Sequence, residues 1–174
     1  LFDQKGELCA QAAHIPVHLG SMAYAMADIV GQFEWAERDV LVLNDPYLGG
    51  THLPDVTIVA PVMLEGKLQG FAVNRAHHAN IGSESPGSMP ITHLLEEEGI
   101  IISPQFLLHK GELNQTLWRS LTPIHGQKDN FHLNGDMAAQ VSSVNAGVLR
   151  LQELIRKFGL DAFHQGLIEL NDYG

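Results

Sequence analysis

His52 and Asp55 stand three apart in the stretch GGTHLPD, Gly49 to Asp55, with Pro54 between them. Imidazole and carboxylate are side chains that bind divalent metals and move protons. Their spacing would suit one face of a helix. Proline, however, lacks an amide hydrogen and biases the residue before it, Leu53, away from the α region. The helical spacing of zinc proteases is thereby excluded, and the pair is expected on a stiff turn that enters a strand beginning at Val56.

That strand supplies a route to a third ligand. Val56 to Leu64 (VTIVAPVML) and Lys67 to Arg75 (KLQGFAVNR) read as two strands of a hairpin around Glu65-Gly66, with Pro61 requiring an edge or a bulge. A three-residue connection centred on Gly66 puts Asp55 opposite His77, with Cβ atoms about 4.5–5.5 Å apart. A two-residue loop shifts the pairing by one and leaves the place to His78 or to a bulge. His52, Asp55 and His77 would then meet at the open end of the hairpin, a set suited to Zn, Mn or Fe with positions left for water or substrate. Such an ion can polarise a carbonyl or lower the pKa of water. Each residue taken singly also has a plain structural reading: Asp55 as a turn cap, His52 as a partner of a strand edge, His77 and His78 as partly buried histidines.

Other segments carry weaker signals. His14 and His18 in AHIPVHLGSM are four apart but separated by Pro16, so they read as a structured loop ahead of a helix rather than as one helical face. Asn44-Asp45-Pro46 reads as a turn with a side-chain contact, placed where it could support the residues of GGTHLPD. Gly49-Gly50 permits a tight bend or the close approach of a substrate. Glu96-Glu97-Glu98 reads as solvated charge and is given no role.

The elements that must position these residues are an antiparallel sheet with helices at the ends. Asp39 to Leu43 (DVLVL) reads as a buried strand; Ile100 to Leu108 and Glu112 to Trp118 read as a second hairpin around Lys110-Gly111, with Pro104 at an edge. From Val141 the positions Val144, Val148, Leu151, Ile155 and Phe158 form the stripe of an amphipathic helix, capped by Asn134 and closed by Gly159. A second helix is expected from Asp161 to about Leu170, and a third over Met22 to Val30, opened by Ser21. Gly82 to Pro90 (GSESPGSMP) has loop composition. The fold class is therefore α+β, a mainly antiparallel central sheet with β-hairpins flanked by N- and C-terminal helices. All 174 residues are expected to form a single domain, a piece of a longer polypeptide.

Composition narrows the partners. Ten Lys and Arg against twenty Asp and Glu give a net charge of −10, which repels a phosphate backbone, so no nucleic acid is expected. No apolar run approaches the roughly 20 residues of a membrane span. Cys9, the single cysteine, provides neither a disulfide framework nor a thiolate metal cluster and agrees with a cytoplasmic location.

With these residues in hand, a resemblance emerges. NDPYLGGTHLPDVTIVAPV, NRAHHANIG with PGSMP, AAHIPVHLGSM and GDMAAQVSSVNAGVLRLQELIRKFG resemble the B subunit of N-methylhydantoinase, in the group that includes 5-oxoprolinase and the large subunit of acetone carboxylase. The resemblance implies a hetero-oligomer in which an A-type partner uses ATP to phosphorylate an activated lactam or enolate oxygen, and the B-type subunit completes hydrolysis of a small cyclic amide, or carboxylation, at a divalent metal. The family's ligands fall on His52, Asp55 and His77; a further aspartate of relatives lies upstream of the LFD segment, at a position this sequence does not contain. His78, Asn74 and Arg75 are candidates, from adjacency, to orient or protonate. The rivals to a cyclic amidase are a carboxylase of the acetone carboxylase type and a truncated, non-catalytic scaffold.

Overall fold

Val40–Leu43 (VLVL) has no polar side chain to turn toward water, and it occupies the centre of the sheet, with all four residues buried. The computed structural model describes residues 1–12, 17–83, 91–121 and 131–173. His14, Pro16 and residues 84–90 of the Gly82 to Pro90 loop lie outside that set. The strands are β1 (Val40–Leu43), β2 (Asp55–Leu64), β3 (Lys67–His77), β4 (Gln105–His109) and β5 (Glu112–Leu113), and the helices α1 (Val17–Ile29), α2 (Gln115–Ser120), α3 (Phe131–Phe158) and α4 (Leu160–Tyr173). Among the described residues the strands form one antiparallel sheet in the order β3-β2-β1-β4-β5, in agreement with the α+β expectation.

Strand alternation divides the core in two. Val40, Val42, Val56, Ile58, Ala60 and Ala72 pack toward Met137 and Val144 of α3. Leu41, Leu43, Val59 and Phe71 face the other way, onto Met22, Ala25, Met26 and Ile29 of α1 and onto Phe2. Removal of such side chains from water, at about 25 cal/mol per Å², drives the layering.

The hairpin of β2 and β3 settles the question of register. Glu65 and Gly66 both have positive φ, +51° and +74°, which marks a two-residue turn of the primed type that matches strand twist. Leu64 pairs with Lys67 and Met63 with Leu68, but a bulge between Val62 and Met63 shifts the ladder so that Val62 pairs with Gly70 and Asp55 with His77. The short turn alone would have separated Asp55 from His77, and the bulge at Gln69 restores the pair. Pro61 lies in an interior strand, neither at an edge nor at the bulge itself. It stands opposite Phe71, whose N–H and C=O are both engaged with Phe2 at 2.9 and 3.0 Å. The pairs recorded between β2 and β1 end at Val59, so no ladder bond is asked of the proline nitrogen.

Other expectations shift at their ends. Helix α1 begins at Val17, so Ser21 lies inside it. Helix α3 begins at Phe131, so Asn134 belongs to its first turn rather than to its cap; Gly159, at φ +87°, closes it. The segment Glu112 to Trp118 is strand for two residues only. Asn114 then caps α2 by accepting from the Leu117 N–H at 3.0 Å, the local competition by which Asn ends extended structure. Pro104 precedes β4 rather than lying in it.

Asn44, fully buried, ties the loop after β1 to the rest. Its Nδ2 donates to Leu53 O (2.8 Å) and Ile100 O (2.9 Å), and its Oδ1 accepts from Ile102 N (2.6 Å). Asn44→Ala leaves three buried backbone groups without these partners and is expected to cost about 2–4 kcal/mol. Urea unfolding measures this, and an unchanged midpoint would refute the assignment.

Candidate functional site

The loop between β1 and β2 is shaped by Asp45 and two glycines. Asp45 caps a short 3-10 turn, Pro46–Leu48, by accepting from Tyr47 N at 3.0 Å. Gly49 adopts φ +93° against Ala25 of α1, and a Cβ there would collide with that alanine. A Cβ on Gly50 would collide with the Asn44 carbonyl. Both glycines therefore serve chain packing, and through it they carry Thr51 and His52 over the end of the hairpin.

At that end Asp55 is buried, with 4% exposure. Its Oδ2 accepts the Thr51 hydroxyl at 2.6 Å and lies 3.1 Å from His52 Nε2. His77, exposed at the end of β3, stands opposite Asp55 in the ladder, and its ring centroid lies 5.1 Å from that of His52. His52, Asp55 and His77 are thus brought to one end of the hairpin, and Asp55 and His77 project on its α1 side. Among the described residues, however, no three His, Cys, Asp or Glu side chains enclose a common point as a metal would require. The short distances show which side chains are neighbours; closure around an ion is a further condition.

His18 joins this group from the first turn of α1, with Nε2 3.9 Å from Asp55 Oδ2. The sequence hid it, because Pro16 argued for a loop where a helix begins one residue later. Its signal was the repeated histidine of HIPVH.

Arg75 shares the face but is occupied. Its Nε donates to Thr57 Oγ1 (2.8 Å), one terminal nitrogen to Ser21 Oγ (2.6 Å) and the other to Gly49 O (2.9 Å). Burial pulls its pKa below the ordinary arginine value, and the Asp55 carboxylate pushes it back. The guanidinium clamps β2, α1 and the glycine loop together.

Asn74 and His78 do not join the group. Alternation turns Asn74 to the α3 side of the sheet, and His78, fully buried just past the end of β3, bonds to the same helix. Both meet Gln140, which sequence reasoning missed. Gln140 Nε2 donates to Val56 O (3.0 Å) and Asn74 Oδ1 (3.1 Å), and its backbone O accepts from Asn74 Nδ2 (2.9 Å). With its nitrogen committed to two acceptors, its Oε1 faces His78 Nε2 at 2.7 Å, so His78 carries its proton there. A cleft of about 330 Å³ opens at this edge, between Arg75 and His77 on one side and Asp136, Gln140 and Ser143 on the other.

A family model described as hydantoinase B/oxoprolinase matches residues 1–174. An uncharacterised protein of Methanocaldococcus jannaschii is 40% identical over 91% of this chain and 29% of its own length. The 5-oxoprolinase of Dictyostelium discoideum is 36% identical over 94% of this chain and 13% of its own. The crystal structure of the ATP-dependent caprolactamase from Pseudomonas jessenii superposes with a TM-score of 0.87 at 32% identity, over 97% of this chain and 29% of that one. The chain spans less than a third of the length of these relatives.

Gln140→Met removes the amide that joins Val56, Asn74 and His78 while keeping most of the volume. It is expected to cost about 2–4 kcal/mol, because each buried polar group left unpaired costs about 1–3 kcal/mol. A melting temperature equal to that of the parent chain would contradict this role.

Proposed function

The chain belongs to the hydantoinase B/oxoprolinase family, and from that membership we propose that it is the metal-holding segment of a B-type subunit in an ATP-dependent cyclic amidase. The reading goes on to a lactam or imide ring as substrate and to an A-type partner that spends ATP to activate it. One observation carries it: His77, far along the chain from His52 and Asp55, comes to the same end of the hairpin as they do.

By residue type the donor set suits a divalent ion, with closure around it still to be made by side-chain rotation. Two imidazoles and a carboxylate suit Zn, Mn or Fe. The 3.1 Å between His52 Nε2 and Asp55 Oδ2 is about the separation kept by two donors that each lie roughly 2.0–2.2 Å from one ion. His77, exposed, is the donor that has to turn inward. Beside the Thr51 hydroxyl, the His52 ring and the Arg75 charge, a bound cation would further offset the cost of taking the Asp55 carboxylate out of water.

When bound, such a cation supplies polarisation of a carbonyl oxygen and promotes attack by water. The chain's own residues set the stage for it. Thr51 orients the Asp55 carboxylate, Arg75 fixes the loop and strands around it, and Gln140 holds the strand ends from the far side. Ring opening is preferred to carboxylation because the 5-oxoprolinase and caprolactamase relatives are named for cyclic amides. A cytoplasmic location accords with the lone, buried Cys9; among the described residues no helix is long and apolar enough to cross a membrane.

The purified chain is expected to take up stoichiometric Zn2+ or Mn2+, measured by elemental analysis after dialysis. Asp55→Asn and His77→Ala should abolish uptake, and His164→Ala on α4 should leave it intact. A parent chain that retains no metal, or retains it without Asp55, defeats the reading. Ring opening is then assayed with an ATP-using A-type subunit, ATP and a lactam.

A further inference from the structure

Among the described residues, neither ring nitrogen of His18 has a hydrogen-bond partner. Its Nδ1 is buried without a partner. Its Nε2 faces Asp55 Oδ2 at 3.9 Å, beyond hydrogen-bond reach. Thr51 and His52 already crowd that oxygen, so Nε2 stands at the Asp55 end of the hairpin with its hydrogen-bonding capacity unspent.

The two nitrogens are not equivalent, and the difference decides what His18 can do. A neutral imidazole carries one proton. A proton on Nδ1 would be a buried donor with no acceptor, which incurs the full penalty of an unmade bond. The proton therefore belongs on Nε2, the nitrogen that faces the site. Metal ligation through Nε2 would need its lone pair and would force the proton onto the partnerless Nδ1, whereas histidines that bind metals give their second N–H to an acceptor. His18 is thus suited to donate and ill suited to ligate.

We propose that His18 is a substrate-facing hydrogen-bond donor, whose Nε2–H donates to the carbonyl-type oxygen of an amide-like ligand seated beside His52, Asp55 and His77. This rests on the divalent centre proposed above. Its position on the first turn of α1 is fixed from below by Arg75, which grips Ser21 one turn further along the helix. Donors set in advance around a polarised carbonyl stabilise the charge that develops on its oxygen.

The test uses Co2+ as the ion and acetohydroxamate as the oxygen-bearing ligand, both followed by visible absorption on the full chain. His18→Phe keeps the ring's bulk and removes both nitrogens, and His18→Gln returns an N–H. Should the phenyl ring lower the melting temperature, His18→Ala takes its place. The expected result is Co2+ affinity within about twofold of the parent and acetohydroxamate binding weaker by roughly tenfold, the worth of one good hydrogen bond, with partial recovery in the glutamine variant. Unchanged acetohydroxamate affinity overturns the donor role while leaving the centre in place. Loss of Co2+ itself overturns it as well, because His18 would then be a ligand. Failure of the parent chain to take up Co2+ is the separate outcome that defeats the centre and, with it, this inference.

Discussion

A carboxylate held almost out of water is the constraint around which this fold is arranged. Asp55 keeps only 4% exposure, and each element near it supplies something that makes the burial tolerable. The loop after β1 brings a hydroxyl and an imidazole, β3 brings a second imidazole across the ladder, and Arg75 places a guanidinium charge two residues behind. The wider scaffold then holds these suppliers in place. Glycines at 49 and 50 let the loop lie against α1 and fold back on Asn44, and Asn44 locks it from beneath with three hydrogen bonds. A buried charge with so many dedicated neighbours is weak evidence of stability and better evidence of use.

The hairpin that carries Asp55 and His77 is gripped from both faces by two different chemistries. On the α1 side the grip is charged: one guanidinium whose nitrogens reach a helix, a loop and a strand. On the α3 side it is neutral: one glutamine amide that spans β2, β3 and the residue just past β3. The neutral grip keeps the α3 side free of net charge in the heart of the larger hydrophobic cluster, where an ion would be poorly solvated. His78 belongs to this support, and its fixed proton is a consequence of the glutamine's orientation.

Much of this was legible in the sequence, and the parts that were not have physical causes. The Pro54 argument correctly removed His52 and Asp55 from a helix, and glycine after a polar residue marked both hairpin turns. The opposition of Asp55 and His77 was anticipated through a longer connection than the one present. The turn has two residues, and a bulge, whose one trace in the sequence is Gly70 beside Gln69, made up the difference. Asn74 and His78 were grouped with the site because they neighbour Arg75 and His77 in the chain; a pleated strand sends neighbours to opposite faces. His18, noticed but read as part of a loop, and Gln140, not noticed, were left out of the group for the converse reason, since each reaches the hairpin from a helix far away in sequence. Helix starts were misplaced where a polar residue, Ser21 or Asn134, was read as the cap but lay inside the helix.

The bulge has one more consequence. The crossing partners at the far end of β2 and β3 are fixed jointly by the two-residue tip and by the offset at Val62 and Met63, so the tip governs chemistry ten rungs away. One residue added to the turn, or the bulge removed, would by itself slide the strands by a place and part Asp55 from His77. The hairpin thus works as a ruler whose two small irregularities must cancel for its open mouth to be in alignment.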